Sequence, residues 1–396
     1  MWVIAGEIVG LAGFLALEAR RHRRNLSSIP TRVHVNGTRG KSSVTRLIAA
    51  GLRAGGLRTI AKTTGTKPRF IFPDGTEEAI VRAGKPGVIE QVRIIRRAQE
   101  EGAKALVIEC MAVKPDSQKI AEEKLVRSTI GVITNVRADH LDEMGPTVGH
   151  VAEALANTVP FGGVLFTAER THLDRLCRRA EKRGTTVVVS RHEAITDDMM
   201  TDFTYFEHRE NVALALSVTS WFGVAPDVAL KGMHEATPDP GALRVHHITA
   251  FGTPITFVNA FAANDPDSYK IIWERLEPWR HDGAKLVALV TCRKDRISRA
   301  EQLAHLIVNG VVADQYFICG ESTHPVHQAA LGLGMDRTRV HDYGGRDAAD
   351  IFEKVLGVAN KRPVTVVGLG NIVGLGEQLA EYFQHRGEEV VYRGVA

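Results

Sequence analysis

Short apolar runs alternate with amphipathic stretches along the chain from residue 32 onward. The runs are rich in β-branched residues, which predicts buried strands of a parallel sheet. These predicted strands are Arg32–Asn36, Ala105–Ile108, Ile130–Thr134, Gly163–Thr167, Thr186–Val189, Leu286–Thr291, Gln315–Cys319 and Pro363–Val367. Between them, apolar residues recur at helical spacing. Such helices are predicted at Ser42–Ala54, Asp267–Leu276, Arg299–Val308 and Asp347–Val358.

This alternation predicts an α/β fold with doubly wound sheets in both halves of the chain. The cluster Pro238-Asp239-Pro240-Gly241 separates the halves, and turn-forming residues of this kind mark a linker. We therefore predict one domain over residues 25–240 and a smaller Rossmann-like α/β domain over residues 241–396. Motion between the two is expected at Pro238–Arg244.

The first 24 residues form a separate segment. Met1–Leu17 is apolar apart from Glu7, and a basic cluster follows at residues 20–24. A run of about 17 apolar residues is the lower limit for crossing a bilayer, and the arginines after it favour the cytoplasmic side. The pattern predicts one N-terminal apolar helix that anchors the chain at the cell membrane, with the rest cytoplasmic. A buried amphipathic helix of a soluble protein is the alternative.

Composition narrows the class of protein. The 396 residues are 44% hydrophobic and 24% charged, which is typical of a globular protein. A net charge of +4 and an aromatic content of 6% argue against nucleic acid as a partner. The four cysteines have no C-x-x-C spacing, which predicts reduced thiols without a disulfide framework.

A glycine-rich segment between the first strand and the first helix predicts a phosphate-binding loop. It comprises Gly37, Thr38, Arg39, Gly40, Lys41, Ser42 and Ser43. It is a shortened relative of the G-x-x-x-x-G-K-[ST] loop, in which backbone N–H groups and a helix amino terminus surround phosphate oxygens. Lys41 is expected at the phosphates and Ser42 at Mg²⁺, so the first domain is predicted to be a P-loop ATPase domain with ATP and Mg²⁺ as cofactors. An ordinary glycine-rich turn is the alternative.

Polar residues also follow the next two predicted strands. Glu109 ends one of them, and Asn135, Asp139, His140 and Asp142 follow the other. Ligands of α/β sheets bind at the carboxyl ends of strands, so carboxylates there indicate a divalent metal. Glu109 alone is equally compatible with a helix cap or a surface carboxylate, and His140 alone with a structural histidine.

These motifs together carry a family resemblance. The phosphate loop, followed by Thr134-Asn135-x-x-x-Asp139-His140-Leu141-Asp142, resembles the Mur ligase and folylpolyglutamate synthase superfamily. Segments His208–Leu216, Pro240–Arg244 and Asn259–Ser268 resemble later motifs of that superfamily. The resemblance implies an ATP-dependent ligase that joins an amine to a carboxylate. It implies phosphate binding by Lys41, magnesium binding by Ser42, Glu109 and His140, adenine binding by Asn211, and a contact of Arg244 with nucleotide or acyl phosphate. Lys41, His140 and Arg244 are the residues expected to be catalytic.

A narrower set of segments resembles the ligase subunit of poly-γ-glutamate (capsule) synthases. The segments are Lys62–Thr66 with Arg69, Glu109–Val113, Met144–Thr147 and Gly368–Asn371. The resemblance implies glutamate and a polyglutamate chain as substrates, an integral-membrane partner and an oligomeric assembly. Basic candidates for the path of this polyanion are Arg69, Arg293, Lys294 and Arg296. For the last three, a solvated turn is the alternative. Gly6, Gly10 and Gly13 are expected to pack against the membrane partner.

The leading hypothesis is therefore an amide ligase that activates a carboxylate as an acyl phosphate and extends poly-γ-glutamate at the cytoplasmic membrane face. One alternative is a ligase of the same superfamily that adds glutamate to folate or another cofactor. Another is a P-loop subunit that couples nucleotide turnover to a membrane complex.

Overall fold

The computed structural model describes residues 2–65, 67–82, 84, 87–203, 205–239, 242–261, 266–274, 276–294 and 300–390. The chain forms two compact units. The first comprises Met1–Met199 and Glu207–Asp239, and the second comprises Met200–Phe206 and Pro240–Ala396. Residues 200–206, which the sequence places in the first domain, thus belong to the second unit.

The first unit holds one mixed sheet with helices on both faces. Up to residue 239 the strands are β1 (Thr31–Asn36), β2 (Thr59–Lys62), β3 (Arg69–Ile71), β4 (Glu77–Ala79), β5 (Ala105–Glu109), β6 (Ile130–Ile133), β7 (Val164–Thr167) and β8 (Thr186–Val189). The helices are α1 (Trp2–Ser28), α2 (Lys41–Ala54), α3 (Glu90–Glu100), α4 (Pro115–Ile120), α5 (Leu141–Met144), α6 (Val148–Leu155), α7 (Leu173–Lys182), α8 (Asp197–Thr201), α9 (Arg209–Trp221) and α10 (Pro226–His234), with a π-helix at Ala121–Val126. Single 3₁₀ turns lie at Ala156–Thr158 and His192–Ala194.

The strand order of this sheet is β4-β3-β2-β5-β1-β6-β7-β8. Six neighbouring strands run parallel, in the order β2, β5, β1, β6, β7 and β8. β3 and β4 add to one edge of the sheet by antiparallel pairing. Side chains alternate across β1: Val33 and Val35 are buried apolar residues, whereas His34 and Asn36 meet polar groups from the segment that contains α4 and the π-helix. The carboxyl end of β1 therefore lies in the centre of the sheet and leads into the phosphate loop.

The second unit is built on a seven-stranded mixed sheet of order β13-β12-β11-β14-β10-β9-β15. Its strands are β9 (Arg244–Ala250), β10 (Thr253–Asn259), β11 (Lys285–Cys292), β12 (Gln315–Gly320), β13 (Val340–Gly344), β14 (Val364–Gly370) and β15 (Gly387–Val390). Its helices are α11 (Pro266–Glu274), α12 (Ala300–Asn309), α13 (His324–Gly332), α14 (Ala348–Ala359) and α15 (Leu375–Gln384), with a 3₁₀ turn at Glu277–Trp279. Alternate residues of β11 enter two separate cores, one on each face of the sheet.

The predicted α/β class is confirmed, and each predicted strand overlaps an observed one. Neither sheet is purely parallel, which corrects the doubly wound parallel prediction. In the second unit, β9 pairs antiparallel with both β10 and β15. Pro240 and Gly241, in the middle of the predicted hinge, lie outside the described residues, as do Ala262–Asp265 and Arg296 of the motifs and candidates above.

The predicted N-terminal helix is present as α1, which continues through the basic cluster to Ser28. Within residues 2–390, among those described, no helix combines the length and the apolar character needed to cross a bilayer. The crossing predicted for residues 1–24 is therefore not supported, and the membrane location stays a prediction.

A buried ion pair connects β1 to the π-helix. Nδ1 of His34 lies 2.7 Å from Oε2 of Glu122, and both side chains are buried. The other carboxylate oxygen of Glu122 accepts hydrogen bonds from the backbone N–H and the hydroxyl of Ser128, at 2.8 and 2.9 Å. Burial alone would lower the pKa of His34, but Cys110 and Glu122 beside the ring raise it to about 10. The imidazole is therefore charged at neutral pH.

We expect this pair to make the stability of the protein fall as the pH rises. An unfolded histidine has a pKa of about 6.5, so the stabilisation is complete below that pH and is lost as the pH rises through about 10. The unfolding temperature, measured between roughly pH 6 and 10, should decline more in the native chain than in a His34→Gln variant. Parallel curves for the two proteins would contradict the assignment.

Candidate functional site

Two glycines shape the loop between β1 and α2. Gly37 and Gly40 have φ values of 130° and 76°, in the region that favours glycine. Both are also tightly packed. A Cβ on Gly37 would lie 2.0 Å from Oγ1 of Thr134, and one on Gly40 would lie 2.7 Å from Oδ1 of Asn211. The loop therefore requires glycine at these positions for both conformation and space.

The loop is held in place by residues that follow β6. The backbone N–H of Thr38 donates to the carbonyl of Asn135 at 3.1 Å, and the hydroxyl of Thr38 donates to Oδ1 of Asn135 at 2.7 Å. The N–H of Arg39 donates to the same Oδ1 at 3.1 Å, and the hydroxyl of Thr134 donates to the carbonyl of Arg39 at 2.6 Å. Asn135, which the sequence marks only as one of several polar residues, thus fixes the conformation of the loop.

Lys41, Ser42 and Ser43 form the first turn of α2, whose backbone N–H groups have no partner within the helix. Nζ of Lys41 folds back over the loop and donates to the carbonyls of Gly37 and Thr38, at 2.7 and 3.2 Å. The Lys41 cation and the amino terminus of α2 therefore lie together at this loop. This is the arrangement that binds phosphate groups.

Glu109 meets the phosphate loop from the end of the adjacent strand β5. Its Oε2 accepts a hydrogen bond from the hydroxyl of Ser42 at 2.8 Å and from the N–H of Thr64 at 2.6 Å. The Glu109 side chain is buried. Mg²⁺ is commonly bound by one or two protein oxygens together with substrate phosphates. The Ser42 hydroxyl and Glu109 carboxylate fit this ligand set.

His140 lies apart from that pair of oxygens. It has a φ of 46° and precedes α5, and its Nε2 lies 3.9 Å from Oδ1 of Asp139. Asp139 also lies 3.6 Å from Nη2 of Arg39. In the part of the chain that the structure describes, no three His, Cys, Asp or Glu side chains form a group that could hold a metal ion. The metal role of His140 stays a prediction.

Asn211 and Arg244 are found in different units. Asn211 is buried in α9, beside Gly40, and its Nδ2 donates to Oε1 of Glu207 at 2.7 Å. Arg244 begins β9 in the second unit, directly opposite Asn259 of β10. The adenine contact of Asn211 and the catalytic role of Arg244 stay predictions.

A buried lysine near the site was not identified as a site residue from the sequence. Lys62 ends β2 beside β5, its side chain is fully buried, and its Nζ lies 3.0 Å from Oε1 of Glu90. Burial lowers the pKa of Lys62, against the opposing effects of the carboxylates of Glu90 and Glu109. Lys62 belongs to Lys62–Thr66, one of the segments that resemble the ligase subunit of poly-γ-glutamate synthases. That resemblance was the signal that could have identified Lys62 as a site residue.

We expect Gly40→Ala to weaken nucleotide binding much more than Gly56→Ala. Both glycines have a positive φ near 80°, but a Cβ on Gly56 would have no atom within 4 Å. Each substitution then has a similar conformational cost of about 1–2 kcal/mol. Only Gly40→Ala also displaces Asn211 or the loop. Calorimetric titration with an ATP analogue should show a dissociation constant raised by roughly tenfold or more for Gly40→Ala. The dissociation constant of Gly56→Ala should change little. Equal affinities would contradict the packing argument.

Two family models match the chain. The Mur ligase middle domain matches residues 35–237, and the poly-γ-glutamate synthase CapB C-terminal domain matches residues 245–386. The first match includes the phosphate loop, Glu109, His140 and Asn211. The second begins one residue after Arg244.

Whole-chain relatives agree with these matches. The chain is 37% identical over 385 residues to the PGA synthase CapB of Bacillus subtilis. The aligned region covers 96% of this chain and 97% of that protein. It is 38% identical over 366 residues to the capsule biosynthesis protein CapB of Bacillus anthracis, which covers 92% of this chain and 78% of that protein.

A solved structure with the same fold is folylpolyglutamate synthase of Mycobacterium tuberculosis, in complex with ADP and AMPPCP. The TM-score is 0.68 at 16% identity, over 92% of this chain and 96% of that one. At that identity the likeness concerns the fold alone. The two CapB relatives and the two domain matches show that the chain belongs to the CapB family of poly-γ-glutamate synthases, with a Mur ligase middle domain.

Proposed function

We propose that the chain is an ATP-dependent amide ligase that joins glutamate units into poly-γ-glutamate. The observation that carries the proposal is the phosphate loop with Lys41 on one side and the Ser42–Glu109 oxygen pair on the other. The names of the two CapB relatives support glutamate polymer as the product. The nucleotides bound by the folylpolyglutamate synthase support ATP as the energy source.

The chemistry explains why such a loop is needed. A carboxylate does not react with an amine at neutral pH, because its oxygen is a poor leaving group. Transfer of the terminal phosphoryl group of ATP to a carboxylate oxygen releases ADP and gives an acyl phosphate. The amine then attacks the acyl carbon, the C–O bond to phosphate breaks, and the amine loses a proton as the amide forms. Phosphoryl transfer depends mainly on positioning and charge neutralisation.

The residues of the loop can supply both requirements. Lys41 and the N–H groups at the start of α2 neutralise and orient phosphate oxygens. Ser42 and Glu109 would hold Mg²⁺, which supplies further charge neutralisation when bound. Asn135 keeps the loop in shape through its bonds to Thr38 and Arg39.

The test is a turnover assay on the full chain with ATP, Mg²⁺ and glutamate. We expect ADP and phosphate to be released only when glutamate and an acceptor chain are present, together with growth of the polymer. Single additions to a folate acceptor would favour the first alternative function. ATP turnover that does not depend on any amine would favour the energy-coupling alternative.

We further propose that α1 brings the chain to a membrane, where an integral-membrane partner completes an oligomeric assembly. The support is a set of apolar side chains on α1 that are more than half exposed, namely Leu11, Phe14, Leu15 and Leu17. Gly10 and Gly13 also have open space around them, so another helix could approach closely.

Replacing Leu11 and Leu15 by glutamate should release the protein from membranes. These residues are four apart and lie on one face of α1. Fractionation of cells should then find the variant in the soluble fraction. Glutamate at Val312 and Leu333, two exposed apolar residues of the second unit, is the matched control. If both variants distribute alike, α1 does not have this role.

A further inference from the structure

A cleft lies at the end of the first sheet where the parallel strands begin, opposite the end that carries the phosphate loop. A cleft of about 640 Å³ is lined by Arg32, Thr129 and Gly163, which lie at the amino ends of β1, β6 and β7. The phosphate loop follows the carboxyl end of β1. Arg32 of the cleft and Gly37 of the loop are five positions apart along β1, which corresponds to roughly 16 Å. The cleft is therefore distinct from the nucleotide site.

The walls of the cleft are tied together. The guanidinium of Arg32 donates to the carbonyls of Leu26, Ile29 and Arg127, with the shortest of these bonds at 2.6 Å. A ring nitrogen of His22 lies 2.8 Å from the carbonyl of Leu125. These bonds connect the end of α1 to the π-helix, so the shape of the cleft is defined by the fold.

The two carboxylates that line the cleft are already engaged. Glu122 is bound by His34 and Ser128 in the buried ion pair described above. Glu123 lies 2.7 Å from a guanidinium nitrogen of Arg183, a residue that also packs over the ring of Phe161 at 4.3 Å. Because both negative charges have cationic partners, they do little to repel an anion that enters the cleft.

The cations of the cleft are in the opposite situation. Arg23, Lys124 and Arg127 line it and are exposed. Within the described residues, none of the three forms an ion pair. They come from α1, from the π-helix, and from the left-handed residue that ends the π-helix. Three exposed cations, one from α1 and two from the π-helix and its cap, thus line one concavity with no carboxylate partner among the described residues.

We propose that this cleft binds the acidic product itself, holding a run of glutamate carboxylates of the polymer away from the phosphate loop. The inference rests on the proposed function and adds a second, non-catalytic site for its product. Arginine and lysine are the side chains that bind carboxylates through charge-assisted hydrogen bonds.

A polymer fits this cleft better than other anions do. A single phosphate would use one or two cations, whereas three exposed cations around one cleft suit carboxylates repeated along a chain. A membrane surface is matched by cations on a projecting face, and these line a concavity walled by Phe161 and Gly162. A chain held here could leave the nucleotide site after each addition without leaving the enzyme, so the site would lengthen the product.

The test is a binding measurement that needs no turnover. A fluorescent poly-γ-glutamate decamer is titrated with the full chain, without ATP or Mg²⁺, and its anisotropy is recorded. We expect the variant Lys124→Ala/Arg127→Ala to bind about tenfold more weakly than the native chain. The control Lys354→Ala/Arg337→Ala also removes one exposed lysine and one exposed arginine, both in the second unit, and should bind as the native chain does. Unfolding temperatures check that both variants are folded.

Each outcome decides the matter. Weaker binding by the cleft variant alone supports the proposal. Equal binding by both variants overturns it. So does displacement of the decamer by inorganic phosphate at equal carboxylate and phosphate concentration, which would indicate a single-anion site. Binding of anionic phospholipid vesicles, and not of the decamer, through Lys124 and Arg127 would overturn it in favour of a membrane contact.

The two proposals fail separately. If the chain forms no amide bond yet binds the decamer through Lys124 and Arg127, the ligase proposal fails and the binding site stands. If the chain is a fully active ligase but the cleft variant and its control bind alike, only the cleft proposal fails.

Discussion

Lys41→Ala is expected to reduce ATP-dependent amide formation by at least about 10³-fold, because phosphoryl transfer depends on neutralising the phosphate charge. The lysine is the cation that folds over the loop, and its ammonium contacts only two loop carbonyls among the described residues. Losing those contacts should change the unfolding temperature little. The measurement is release of ADP in the presence of glutamate, alongside thermal unfolding.

A matched control separates the role of this lysine from a general loss of charge. Lys182 is exposed at the end of α7, so Lys182→Ala removes the same charge outside the loop. That variant should turn over normally. Near-normal turnover by Lys41→Ala would show that the loop does not act on phosphate, and the proposed mechanism would fail.

Glu109→Gln is expected to lower turnover roughly 100-fold and to raise the Mg²⁺ concentration needed for half-maximal activity. Glutamine has the same size, and its amide oxygen can still accept from Ser42 and from the N–H of Thr64. The fold should therefore survive while the negative charge that attracts the metal is lost. Activity is measured across a titration of Mg²⁺.

Glu169→Gln is the control for this substitution. Glu169 is also buried in the first unit, and it accepts hydrogen bonds from the N–H groups of Val136 and His172, at 2.7 and 2.8 Å. Its loss of charge should leave the Mg²⁺ dependence unchanged. If Glu109→Gln and Glu169→Gln require the same Mg²⁺ concentration as the native chain, Glu109 is not a metal ligand.

Much of the fold could be predicted because the central strands are short, apolar and buried on both faces. Arg32–Asn36 and Leu286–Thr291 each differ from the observed strand by one residue at one or both ends. The antiparallel additions were missed for physical reasons. β4 has the sequence Glu-Glu-Ala at a sheet edge, where packing places little demand on side chains. β9 and β10 are joined by a turn with Phe251 at a φ of 50°, and phenylalanine is not a turn signal.

The site divides in the same way. Local chemistry identified the phosphate loop, since its glycines, lysine and serine are consecutive. The contact of Ser42 with Glu109 could be anticipated because β1 and β5 are neighbours that end at the same edge. Other contacts join residues that are 28 or more positions apart in the chain. These are the hydrogen bonds of Asn135 to the loop and the Lys62–Glu90 ion pair, and no local pattern encodes such pairings.

The most direct test of the account follows the oxygen atoms of the activated carboxylate. Glutamate and the polyglutamate chain are both prepared with ¹⁸O in their carboxylates, and the released phosphate is examined by mass spectrometry. Activation as an acyl phosphate predicts one ¹⁸O atom in the phosphate for each amide bond formed, since the carboxylate oxygen leaves with the phosphoryl group. Phosphate that contains no ¹⁸O while amide bonds form would contradict the account.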